Sequence, residues 1–432
     1  RGKSIYDFQK KSIEQTLQSA EKNESMVKSI FDTLQNRGKR TDSDIGAPYV
    51  LEWKLKAVQA RHISPLSVLS IGQNDIYTPL LSAHFNDPYF NNQYAEFKNP
   101  EELFAGNLDV SFFVLFIFPL LLLSLTYDIQ SSEKENAVMP LLNAQITVSF
   151  FAITNMRLLF RWLVALLPVI VICLLSYIIL SVAPDFSAGS FLQWWTVGLL
   201  YTVFWLLMVA VIQRFQFSSL INAITLAGLW VLFLIAIPGL SNTWFSYRYP
   251  PIDKTEISDY RDIDFKGYDI PFTEHEKLVF AQYPKWKNSI QLHDTNYFKA
   301  FSNTLQSLSK EKLMHQSSME NNERLLKAEM NNFWINPVGG VMRSFTSISQ
   351  STLANQQAFE SAIIDVRDRK AKYLYENYFT KPHFTKEDFE GMPRFLPVVS
   401  NQSPVKYLAP LALWSMMGLV IVLLKSKQYQ SL

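Results

Sequence analysis

The stretch Val110–Tyr127, VSFFVLFIFPLLLLSLTY, runs for 18 residues without a single charge. At a rise of 1.5 Å per residue it extends ~27 Å as a helix, close to the ~30 Å hydrocarbon thickness of a bilayer. Four more runs repeat the pattern, at 162–183, 191–212, 217–240 and 407–424, again without Asp, Glu, Lys, Arg or His. Lipid offers the backbone no water to bond, so such a run must satisfy its own amides as a helix. The reading is an α-helical polytopic membrane protein.

Around the spans lie two polar segments, 1–107 and 241–405, which hold nearly all the charge and all six histidines. The whole-chain figures, 18% charged residues and net charge +2, therefore average over two solvents. That near-neutral balance gives no electrostatic reason to expect a nucleic-acid partner. Cys173, the only cysteine, falls inside an apolar run, so the chain forms no internal disulfide. Cations in the short loops set the expected orientation. Lys134, Arg157 and Arg161 lie between the first two runs, Arg214 between the third and fourth, and Lys425 and Lys427 after the last; Pro184 to Ser190 has none. This places 128–161, 213–216 and 425–432 in the cytoplasm and both polar segments outside. Trp194, Trp195, Trp244 and Tyr407 then fall at outer span ends, where amphipathic rings favour the interface.

The expected organisation is an outer segment of mixed helix and irregular structure (1–107), four spans over 108–240, an outer, mainly helical domain (241–405), and a last span with its tail (406–432). Helical spacing runs through 4–36 to a stop at Gly38, from 272 to about 330, and from 341 to 379, with Trp334 to Gly340 as a break. Short apolar runs around Pro65, Gly72 and Pro79 suggest strands or irregular structure over 49–85. Five spans leave Arg1 outside with no signal sequence ahead of it. The expectation is a further helix upstream of this sequence, giving six and returning both ends to the cytoplasm; a cleaved signal is the alternative.

The lack of ionisable groups in the spans argues against ion coupling and intramembrane catalysis, which place such groups at depth. No Gly-x-x-x-x-Gly-Lys-Ser/Thr loop occurs, so nucleotide has no phosphate cradle in this chain. Any energy would come from another subunit. Its docking place is expected in Asp128 to Ala144, DIQSSEKENAVMPLLNA, a polar then apolar run suited to a short interfacial helix. Here the chain resembles ABC transporter permeases of the ABC-2 type, which carry Glu-Arg-Glu-x-Gly-Thr-Leu-x-x-Leu-Leu after their second helix. Glu133, Lys134, Glu135, Met139, Leu141 and Leu142 match loosely, while Ala137 replaces the Gly, Val138 the Thr, and Pro140 shifts the leucines. Asn107-Leu108-Asp109 and Phe118-Pro119-Leu120 are also similar to the family. Asn336-Pro337, the polar run to Phe359, and Arg367 to Tyr373 resemble a subgroup with large periplasmic domains. Gliding-motility-associated permeases are a more distant likeness.

The resemblance implies a six-helix fold, with the first helix missing from this sequence, and a dimer of identical or related permeases on two ABC ATP-binding subunits. A coupling helix at about 129–145 would enter a groove of each ATPase. Glu133, Lys134 and Glu135 would make polar contacts there, and Met139, Leu141 and Leu142 would be apolar anchors. ATP and Mg would sit in that partner; this chain would hold no cofactor and would not itself be an enzyme. The expected setting is a bacterial inner membrane, in contact with its lipid, and the expected cargo is amphipathic, lipid-linked or peptide. A non-transporting scaffold is the alternative, in which ATPase motion drives the periplasmic domains against a periplasmic or outer-membrane partner. A membrane-anchored hydrolase ranks third. Two aromatic clusters (Tyr89, Phe90, Tyr94, Phe97; Tyr373, Tyr375, Tyr378, Phe379) are either a partner-binding face or core. His62, His84, His275, His293, His315 and His383 lack metal-ligand spacing and are expected on solvated surface, and spacing reveals no Ser/His/Asp arrangement.

Overall fold

A computed structural model describes residues 2–37, 50–51, 54–55, 58–84, 108–136, 150–250, 269–288, 295–381, 384–397 and 403–428. Helix α1 (Gly2–Arg37) leads to the antiparallel pair β1 (Val58–Ala60) and β2 (Leu80–Ser82), joined in the register Val58 opposite Ser82. The first span, α2, comprises Val110–Phe112, a π-helical turn Phe113–Ile117, and Phe118–Thr126. After α3 (Ser131–Glu135) come the spans α4 (Phe150–Leu180) and α5 (Ala188–Gln213). The span α6 comprises Ser219–Val231, a second π-helical turn Leu232–Ala236, and Ile237–Arg248. Then follow α7 (Phe272–Gln282), α8 (Thr295–Asn332), α9 (Pro337–Ile348), α10 (Leu353–Thr380), α11 (Lys386–Glu390) and the last span α12 (Val405–Gln428). Among the described residues, five helices are long and apolar enough to cross a membrane, so the protein is a mostly helical, multi-pass membrane protein.

Three expectations change. Arg157 and Arg161 lie on α4 rather than in a connecting turn, because nothing between Phe150 and Arg161 is a helix breaker. The break expected over Trp334 to Gly340 is present but ends at Asn336: the Asn336 side chain caps Val338 N–H, and Pro337 fills the first position of the next helix, which needs no donor. The single helix expected over 341–379 is divided at Ser349 to Thr352. Gln350 adopts a left-handed φ of 54° there, and Thr352 caps α10 through Asn355 N–H.

The spans share one apolar core with parts of the polar segments. Val338, Val341, Phe345 and Ile348 of α9, with Leu66 and Leu69, join Val114, Phe118, Trp194, Phe204 and Leu411. Phe345 stacks on Trp194 at 4.1 Å. A Cβ at Gly340 would lie 2.2 Å from the Tyr407 carbonyl oxygen, so only glycine lets α9 come this close to α12. Trp194 and Tyr407 are consequently buried under α9 instead of ringing an aqueous boundary. Nearby, Ile71 N–H donates to Asp109, Ser111 N–H to the Leu69 carbonyl and Gln73 N–H to the Ser351 carbonyl. These bonds tie the first polar segment to α2 and to the α9–α10 turn.

From this platform α1, α8 and α10 rise as a stalk. By length they span ~54, ~57 and ~42 Å. Near the spans, Gln9 donates to the Asn74 carbonyl. At the far end, Val27 and Phe31 of α1 meet Trp286, Phe298, Phe301, Tyr375, Phe379 and Phe389 in a second core. Tyr375 and Phe379 are thus core residues rather than an open face; Tyr89, Phe90, Tyr94 and Phe97 lie outside the described residues. Between the long helices, buried Arg367 of α10 donates to Glu311 of α8 at 2.7 Å.

Candidate functional site: the elbow after the first span

Where α2 ends, its last carbonyls have no helical partner, and in an apolar setting each would cost about 1–3 kcal/mol if left bare. Side chains from the next three spans take them. Arg161 of α4 donates to the Leu125 carbonyl and, at 2.8 Å, to the Asp128 carboxylate. Gln213 of α5 donates to the carbonyls of Thr126 and Tyr127 at 2.9 and 3.1 Å, and Asn222 of α6 reaches the Tyr127 carbonyl at 3.3 Å. The end of the first span is therefore held by all three neighbours.

The short helix α3 is fastened to the same neighbours. Glu133 pairs with Arg157 of α4. Lys134 donates to the Gln216 carbonyl at 3.1 Å. Glu135 accepts from Ser219 N–H at 2.7 Å and from the Ser219 hydroxyl at 2.9 Å, placing its carboxylate at the positive end of α6. The Ser131 hydroxyl donates in turn to the Ser219 oxygen at 2.8 Å. Lys134 and Glu135 remain exposed, whereas Glu133 is half-buried. Met139, Leu141 and Leu142 lie outside the described residues. Arg214 donates to Asn155 at 2.9 Å, and Lys425 sits 4.7 Å over the Phe215 ring. Lys134, Arg157, Arg161, Arg214 and Lys425, all used to orient the chain, therefore gather at one end.

Sequence reasoning missed Arg157, Arg161, Gln213, Ser219 and Asn222 as partners of the elbow. The faint signal was their place: polar residues at or near the ends of apolar runs, each more than twenty residues from its partner. Among the described residues the elbow shows no nucleophile–base pair. It is a strut, and a displacement of α3 would be felt by α4, the 214–218 loop and α6 together.

A second polar cluster lies in the stalk. A cavity of about 300 Å³ between α8 and α10 is lined by Leu305, Leu308, Lys312, His315, Ser361 and Ile364, among others. His315 Nε2 lies 2.7 Å from the Ser361 hydroxyl, and Nδ1 lies 4.0 Å from Glu360. Ser361 is also within 2.9 Å of the Gln357 carbonyl, to which its hydroxyl donates. The trio links α8 to α10 across the stalk. Burial holds the His315 imidazole below its ordinary value and pushes the Glu360 carboxyl above its own, the latter partly offset by the Gln356 hydrogen bond and the Arg61 charge. His275 is fully buried rather than solvated. His293 and His383 lie outside the described residues.

Residues 265–397 match a family described as a domain of unknown function, DUF3526. The match takes in α7 to α11, including α9 among the spans, and none of the five spans. Neither the curated proteins nor the solved structures give a match to this chain.

Proposed function

We propose that this chain is the permease subunit of an ATP-driven transporter of the ABC-2 type, with its elbow in the cytoplasm and its stalk outside a bacterial inner membrane. ATP would be hydrolysed in a separate ATP-binding subunit seated on α3, and a second permease, identical or related, would complete the assembly. The cargo class that suits spans lined by neutral and aromatic side chains is amphipathic, lipid-linked or peptide.

The observation that carries this reading is the fastening of α3. Glu133, Lys134 and Glu135, the positions matching the family pattern, link the elbow to α4, the 214–218 loop and Ser219 of α6. From Ser219 to Phe233 is ~21 Å along α6, and Asn336 donates to the Phe233 carbonyl at 2.8 Å. A push at the elbow therefore has a continuous hydrogen-bonded route to the foot of the stalk. That same route favours, as the second reading, a subunit that transmits force to an envelope partner without passing cargo.

The test is purification of the full chain from native membranes in mild detergent. An ATP-hydrolysing subunit is expected to co-purify; activity of the chain alone, without such a companion, contradicts the proposal. Transport of a fluorescent lipid-linked or peptide cargo into or out of proteoliposomes separates the two readings, since the force-transmitting subunit would hydrolyse ATP and move none.

A further inference from the structure

Arg157 and Arg161 stand one turn apart on α4, on the face that also carries Phe160 and Val164. Glu133 and Asp128 hold the two guanidinium groups from the elbow side. Among the described residues each is bonded through Nη1 alone, whereas an arginine carries five N–H donors. Both side chains stay accessible, 42% and 38% exposed, and with Met156 and Phe160 they line an open cleft of about 340 Å³. Charge at this end is unbalanced. The five cations gathered here face three carboxylates, Asp128, Glu133 and Glu135, among the described side chains.

Depth and shape narrow what can lie in the cleft. The apolar run of α4 begins at Trp162, so Arg161 stands ~1.5 Å and Arg157 ~7.5 Å beyond its edge along the helix. The headgroup layer of a bilayer reaches about 5–7 Å beyond the hydrocarbon on each side, so the two arginines span it. Between them Phe160 is 67% exposed. From Phe160, the exposed residues Val164, Leu167 and Val171 continue one stripe into the apolar run. That stripe is ~17 Å long, about the depth of one leaflet.

We infer that Arg157 and Arg161 form a site for an anionic phospholipid, whose phosphate accepts from both guanidinium groups while an acyl chain runs along Phe160, Val164, Leu167 and Val171. A zwitterionic lipid brings no net charge to offset the surplus of cations, so the site favours the anionic one. Lipid is the occupant because the cations terminate an apolar stripe one leaflet deep, which a soluble anion would leave bare. The inference does not depend on what docks on α3 or on any transport.

The test uses the full chain with Cys173→Ala and a single introduced cysteine carrying a bimane fluorophore, in vesicles of phosphatidylcholine and phosphatidylglycerol at fixed ratio. Leu167→Cys, five residues inside the start of the apolar run, is compared with Ile178→Cys, an exposed position five residues inside its other end. A minor fraction of either lipid is replaced by its dibrominated form, whose bromines quench bimane on contact. At 167, brominated phosphatidylglycerol is expected to quench severalfold more than the same fraction of brominated phosphatidylcholine; at 178 the two should quench equally. Arg157→Gln with Arg161→Gln should abolish the preference. So should Phe160→Glu, which sets a carboxylate beside both guanidinium groups and removes no elbow bond. Equal quenching by the two lipids at 167, the same preference at 178, or a preference that survives both variants would overturn the site. Weak quenching by either lipid at 167 would overturn lipid as the occupant and place protein there, from this chain or a second copy.

Discussion

Asn336 serves two helices with one side chain: its oxygen caps α9, and its nitrogen donates to a carbonyl freed by the π-helical turn of α6. Asn336→Ala is expected to cost about 2–4 kcal/mol, the sum of a lost cap and a bare buried carbonyl. Asn336→Ser, which keeps the cap, should fall between, as read by thermal unfolding in detergent. Arg367→Ala removes the cation facing buried Glu311 and should cost about 3–5 kcal/mol, whereas replacing both by Leu and Met should cost far less. The stalk should also be acid-sensitive through His315. Its folded value lies below the ordinary 6.5, so the neutral form is favoured by folding, and that stability is lost as pH falls from about 6.5 through the lower folded value. Glu360, raised above 4.5, works the opposite way, gaining stability as pH falls. His315→Gln should therefore flatten the loss of stability just below pH 6.5; an unchanged pH profile would show that His315 does not set it.

Among the elements, the spans were legible because an uncharged run of 18 or more residues has few alternatives. Helix α9 was not. Pro337, Gly339 and Gly340 read as breakers, and 12 residues are too few to cross a bilayer, so only its contacts with Trp194 and Tyr407 disclose its place. The elbow was half legible. The motif marked Glu133, Lys134 and Glu135, but the partners of Glu133 and Glu135, Arg157 and Ser219, come from distant helices that no local pattern connects. This bears on how docking is tested. Glu133→Lys alone would break an internal ion pair as well as any external contact. Glu133→Arg with Arg157→Glu restores the internal pair while reversing the charge offered outward. The single substitution is expected to lower the unfolding temperature and the double to recover it. If the ATP-binding subunit is lost from both, Glu133 contacts it; if from the single alone, Glu133 acts only within the elbow.

For the molecule as a whole, the arrangement is a bundle clamped at one end by α3 and crowned at the other by α9 and a three-helix stalk, with α6 bonded to both ends through Ser219 and Asn336. The sequence marked off the two polar segments but not their joining into one stalk, since α1 meets α8, α10 and α11 only through side chains hundreds of positions apart. The exposed Lys134 is the point from which a partner can be caught directly. A photoreactive residue placed there and illuminated in native membranes is expected to crosslink to a subunit that a photoaffinity ATP analogue also labels. A crosslink instead to a protein on the opposite side of the membrane, or to one that binds no nucleotide, would contradict the account.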